Sequence, residues 1–175
     1  LGVGLGSLLC ERLSGHRVEI GLVPLGSIGL TVFGIDLYFA TPTNLPAGPL
    51  DGAAFLAQPG TWRVFLDLAL LGTFGGFYIV PLYALVQSRT PRERLSRVIG
   101  ATSILNAAFM VAAAALAAGL LAAGLSIPEL LLVVALLNAC VAIYIYSLVP
   151  EFLLRFLAWI LVRFVYRVRV SGSEH

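Results

Sequence analysis

Of 175 residues, 59% are hydrophobic and 11% charged, with a net charge of +2 and a mean hydropathy of +0.98. A soluble domain carries about 25% charged residues, so this chain has too few to cover its own surface in water. That excludes a soluble globular domain, a disordered tail and a nucleic-acid binder, and leaves an integral membrane protein of several spans.

The opening stretch from Leu1 to Cys10 is apolar but too short to cross a bilayer. It reads as the end of a helix that begins upstream. Met110 is the only Met, so Leu1 is not expected to be a natural start. A polar segment with Glu11, Arg12, His16 and Arg17 follows. The first full span is Val18 to Ala40. After it, Thr41 to Thr61 is rich in Pro and Gly and is expected to be extended and irregular.

The second span, Trp62 to Gln87, holds the Gly75-Gly76 pair and Pro81, a pattern that suggests a bent helix. Arg89, Arg92, Arg94 and Arg97 fill the next connection. The third span is Val98 to Leu125, and its alanine-rich middle is expected to pack closely on other helices. A very short link, Gly124 to Pro128, implies a tight antiparallel hairpin with the fourth span, Pro128 to Leu148. Helices are the only reasonable form, because the runs show no barrel alternation and hydrocarbon leaves no outside partner for backbone groups.

Beyond Pro150 the pattern changes. Arg155, Arg163 and Arg167 interrupt an apolar stretch and fall within an arc of about 120° at 100° per residue. Residues 150–175 therefore read as an amphipathic helix lying in the membrane interface and leading onward, not as another span. A span would bury these Arg at about 2.5–3.5 kcal/mol each at the bilayer centre.

All eleven basic residues are Arg, and ten lie on connections that alternate to one side; Arg63 alone lies on the other. Cytoplasmic loops collect Arg and Lys, so the ten-Arg side is expected to face the cytoplasm. Polar groups inside spans are the candidates for a substrate path. These are Asp36 near the far end of the first span, Asn106 in the third, and Asn138 and Tyr144 in the fourth. Arg63 and Asp67, four residues apart, suggest an ion pair along one helix. Cys10 and Cys140 have no metal-ligand spacing and read as packed thiols. No catalytic constellation, metal motif or cofactor cradle is visible, so no catalytic, cofactor-binding or metal residue is assigned.

The stretch Gly6-Ser7-Leu8-Leu9-Cys10-Glu11-Arg12-Leu13-Ser14-Gly15-His16-Arg17 resembles the cytoplasmic loop signature of the major facilitator superfamily. Ser7, Glu11, Arg12 and Arg17 match it; Ser14 and His16 depart from it. The resemblance implies that Glu11, Arg12 and Arg17 form a gating loop whose charges bias which face is closed. Three further stretches, 75–89, 96–106 and 149–156, resemble the lysophospholipid transporter branch of that superfamily. The end, 166–175, looks like the entry into a glycerolipid acyltransferase domain.

The resemblance implies an all-α membrane bundle: residues 1–149 as the C-terminal half of a major-facilitator transporter, with one partial and four full spans. Residues 150–175 then link to a fused acyltransferase. It implies a lysophospholipid substrate, contact with membrane lipid, an N-terminal bundle half as partner, and residence in a bacterial inner membrane. This stretch would carry no enzyme activity itself. The rival expectation is that these helices anchor an acyltransferase enzyme, or belong to a carrier for another small molecule.

Overall fold

The computed structural model describes residues 2–14, 21–42 and 51–161. Among these, every regular element is helical: α1 (Gly2–Ser14), α2 (Leu22–Ala40), α3 (Gly52–Leu56), α4 (Thr61–Arg89), α5 (Leu95–Ala122), α6 (Ile127–Leu148) and α7 (Glu151–Ile160), with a 3-10 turn at Arg92–Arg94 before α5. Helices α2, α4, α5 and α6 are each long and apolar enough to cross a membrane. The four expected spans are therefore present, with ends shifted by a few residues; 18–20, the expected start of the first, lie outside the described residues.

Local chemistry fixes the helix ends. Ser126 and Glu129 form a capping box at the start of α6, each satisfying the other's backbone N–H. Gly124 adopts φ 97°, a left-handed turn that ends α5 and that other residues adopt only with strain. The segment expected to be extended is instead partly helical. Asp51 accepts a hydrogen bond from Ala54 N at 2.7 Å and caps the short helix α3. Propline and glycine density alone hid that cap.

Helix α4 is the centre of the packing. On one side α1 runs parallel to it: Gly2 lies on Gly72, and Gly6 on Thr73 and Gly76. These are two small-xxx-small pairs facing each other, which lets the backbones touch. A Cβ on Gly6 would sit 2.2 Å from the Thr73 carbonyl oxygen. On the other side α2 runs antiparallel, with Gly26 against Phe74 and Tyr78, and Gly29 against the Phe74 ring. Phe33, Phe74 and Phe77 stack along this seam, with ring centroids 5.3 and 5.6 Å apart. Cys10, Leu22 and Phe77 form the buried cluster below them. The close approach of Gly76 to Gly6 accounts for one of the paired glycines, and Pro81 lies within a helix that α4 continues to Arg89.

Helix α6 packs antiparallel on the far side of α2, where Gly34 meets Ala135. Helix α7 crosses the start of α2, its Arg155 backbone 3.1 Å from where a Cβ of Gly21 would be. The tight turn before α6 is present, but the expected hairpin packing is not. Helix α5 has no buried residue and touches α6 only slightly. None of its alanines is buried among the described residues, contrary to the expected close packing. Cys140 likewise is exposed, whereas Cys10 is buried.

Candidate functional site

Antiparallel pairing sorts the charges. Arg12, Arg89 to Arg97 and Arg155 lie at one end of the helices, and Arg63 lies at the other. The polar side chains within the spans then fall into three places.

At the Arg-poor end, Arg63 in the first turn of α4 reaches across to Asp36 in the last turns of α2. Its Nε donates to Asp36 Oδ2 at 3.1 Å and its Nη2 to Oδ1, a bidentate pair between two helices. The expected partner of Arg63 was Asp67, one turn along α4. Spacing along one helix does not outweigh a planar guanidinium meeting a carboxylate square-on across a seam. Asp67 is instead 2% exposed, and its Oδ2 has no hydrogen-bond partner. Beside it, Thr61 is fully buried and its hydroxyl donates to the carbonyls of Phe55 and Gln58, tying α3 to α4.

The second place is the α2–α6 seam. Asn138 Nδ2 donates to the Ser27 carbonyl at 3.0 Å and to Thr31 Oγ1 at 2.9 Å. Ser27 and Tyr146 join hydroxyl to hydroxyl. Beside them runs a groove of about 230 Å³ walled by Pro24, Ile28, Val32, Ala139, Ile143 and Leu153. Its wall is apolar, the chemistry of an acyl chain rather than of a head group. Tyr146 escaped sequence reasoning, which chose Tyr144, a residue 66% exposed. The missed signal was spacing: Asn138 and Tyr146 lie eight residues apart, on one helix face, and Tyr144 does not share it.

The third place joins α4 and α5. Asn106 Nδ2 donates to the Tyr83 hydroxyl, beside a cavity of about 140 Å³ lined by Leu82, Val86 and Thr102. Thus Asp36, Asn106 and Asn138 each serve a different helix pair, and the structure does not gather the four substrate-path candidates into one cleft. Of the expected gating loop, Glu11 and Arg12 sit in the last turn of α1, with Arg12 exposed, and Arg17 lies outside the described residues.

Four span-length apolar helices and this intramembrane polar chemistry define a multi-pass helical membrane protein. No family model and no solved structure matches the chain. A stretch of it is similar to the lysophospholipid transporter LplT of Cronobacter sakazakii (strain ATCC BAA-894), 46% identical over 52 residues. The match takes in 28% of this chain and 13% of that transporter. The similarity supports a relationship to a transporter family.

Proposed function

We propose that this chain is part of a carrier that moves lysophospholipid across a bacterial inner membrane. The observation that carries the reading is the 46% identity to a lysophospholipid transporter, in a chain with four span-length helices. A lysolipid has one acyl chain and a polar head. The chain needs an apolar wall open to lipid, of the kind the α2–α6 groove offers; the head needs polar groups. In this reading residues 1–149 are the C-terminal half of a major-facilitator bundle, and a second half supplies the opposite wall. The unburied length of α5 is surface on which such a half can close. Residues 150–175 lead to an acyltransferase domain that re-acylates the delivered lysolipid. Glu11, Arg12 and Arg17 hold the Arg-rich face closed by pairing with neighbouring helix ends.

The test is translocation of labelled lysophosphatidylethanolamine by the full-length protein in proteoliposomes, with acyl donor supplied afterwards. Protein-dependent translocation of the one-chain lipid is expected, followed by its acylation. Glu11→Gln and Arg12→Gln should cut translocation by about 5–150-fold, the span of typical couplings between two states, and leave acylation of directly supplied lysolipid intact. Translocation no faster than in protein-free vesicles overturns the reading. Acylation without translocation would make these helices the anchor of an enzyme.

A further inference from the structure

Two carboxyl groups and one guanidinium meet at the Arg-poor end of the α2–α4 seam. Arg63 gives both arms of its fork to Asp36. Asp67 lies one turn further along α4, 2% exposed, with Oδ2 lacking any donor. Arg63 alone among the described residues carries positive charge at this end, and its fork is spent on Asp36. Two carboxylates beside one guanidinium leave a negative charge uncompensated unless one of them holds a proton. A buried ion left unpaired is also far too costly to keep.

Among the described residues no other cation is at hand. Arg63 is the only basic residue between Arg17 and Arg89, and none occurs from 98 to 154. The titratable and charged groups on the packed elements bring no positive charge. On α2 the neighbour is Tyr38. On α3, Asp51 spends its carboxylate on the Ala54 N–H, and on α6, Glu129 spends its own on Ser126. Helix α1 meets this part of α4 through Gly2. A metal cation would need several oxygen ligands, and one free oxygen in a nearly closed site does not provide them. A proton needs one.

We propose that Asp67 is a proton-binding site, in which one proton on its buried carboxyl neutralises the cluster it forms with Asp36 and Arg63. The site is independent of which solute the protein carries. Charge counting makes it quantitative. With Asp36→Asn, Arg63 is free to turn to Asp67, its i+4 neighbour, and no proton is needed. With Asp67→Asn, Asp36 and Arg63 are neutral as a pair, and again none is needed. With Arg63→Gln, no cation remains to turn to Asp67, and its proton is still held.

Infrared spectroscopy of the full-length protein in nanodiscs reads this directly, through the C=O stretch of a protonated carboxylic acid and its shift in heavy water. The Asp36→Asn, Asp67→Asn double variant sets the baseline. Wild type should exceed it by one carboxylic acid, each single Asn variant by none, and Arg63→Gln by at least one. If Asp67→Asn fails to fold, Asp36→Asn, which holds no proton in this scheme, replaces the double variant as the baseline. A wild-type band equal to the baseline overturns the proposal. So does a wild type that retains radioactive Na+ at this site, lost in Asp67→Asn, with no acid band.

Discussion

Helix α4 has two unlike flanks. Toward α1 and α2 it is pressed so closely that added atoms have nowhere to go: a Cβ on Gly26 would lie 2.6 Å from the Tyr78 nitrogen and 2.9 Å from the Phe74 oxygen. Toward α5 the contact is slight, and Gly100 and Gly119 of α5 have open space where a Cβ would stand. Small residues occur on both flanks, and α5 is the richer in them. Lipid tails are as apolar as Leu, so apolarity does not draw helices together in a membrane; close backbone approach and hydrogen bonds do. A small residue therefore says little until it faces another. Gly2 and Gly6 meet Gly72 and Gly76, whereas none of the α5 alanines is buried among the described residues.

The sharpest way to break this contrast is to add bulk on each flank. Gly26→Leu should cost at least the 1–3 kcal/mol or so typical of overpacking, because only backbone separation relieves the contact. Gly6→Leu should do the same on the α1 side. Gly119→Leu should stay within about 0.5 kcal/mol, the range of a substitution that meets nothing. Unfolding equilibria of residues 1–175 in mixed micelles, where no second bundle half covers α5, measure all three. Similar costs for Gly26→Leu and Gly119→Leu would erase the distinction between the flanks.

A second, smaller effect tests the polar side of the tight region. Asn138→Leu removes two donated hydrogen bonds that hold α6 to α2. Such bonds average about 0.6 kcal/mol in membranes and reach about 1.7, so a loss near 1 kcal/mol is expected in the same assay. No measurable loss would mean that Gly34 and Ala135 alone hold this seam.

The spans were legible because a helix in hydrocarbon needs a long apolar run and leaves its signature in composition. The short link from Gly124 to Pro128 was legible too, but the cap at Ser126 and the helix end before Gly124 were not. What was not legible is lateral: which helix lies beside which. Sequence distance put Arg63 with Asp67, because four residues along a helix is a fixed geometry that can be read without a fold. The pair with Asp36 spans twenty-seven positions and exists only once α2 and α4 are antiparallel. Asp67 then changes from a partner to a buried, unpaired carboxylate, and no pattern in α4 alone announces it. Tyr146 was lost similarly, since its importance depends on Ser27 of another helix.

The smallest expected effect lies on the loose flank. Tyr83 and Asn106 make the one side-chain hydrogen bond between α4 and α5 among the described residues. If it were the glue of that flank, its loss would cost as much as the loss of Asn138. The geometry argues otherwise. The two helices share little else, so no packed surroundings hold the two side chains in place. A double-mutant cycle with Tyr83→Phe and Asn106→Leu should give a coupling of about 0.6 kcal/mol or less, the ordinary value for a polar contact between membrane helices. The same cycle on Thr31→Val and Asn138→Leu should give more, because that bond lies in a seam already closed by Gly34 and Ala135. A larger coupling at Tyr83–Asn106 than at Thr31–Asn138 would show that α5 is held to α4 after all, and that its exposed alanines are not what decides its freedom.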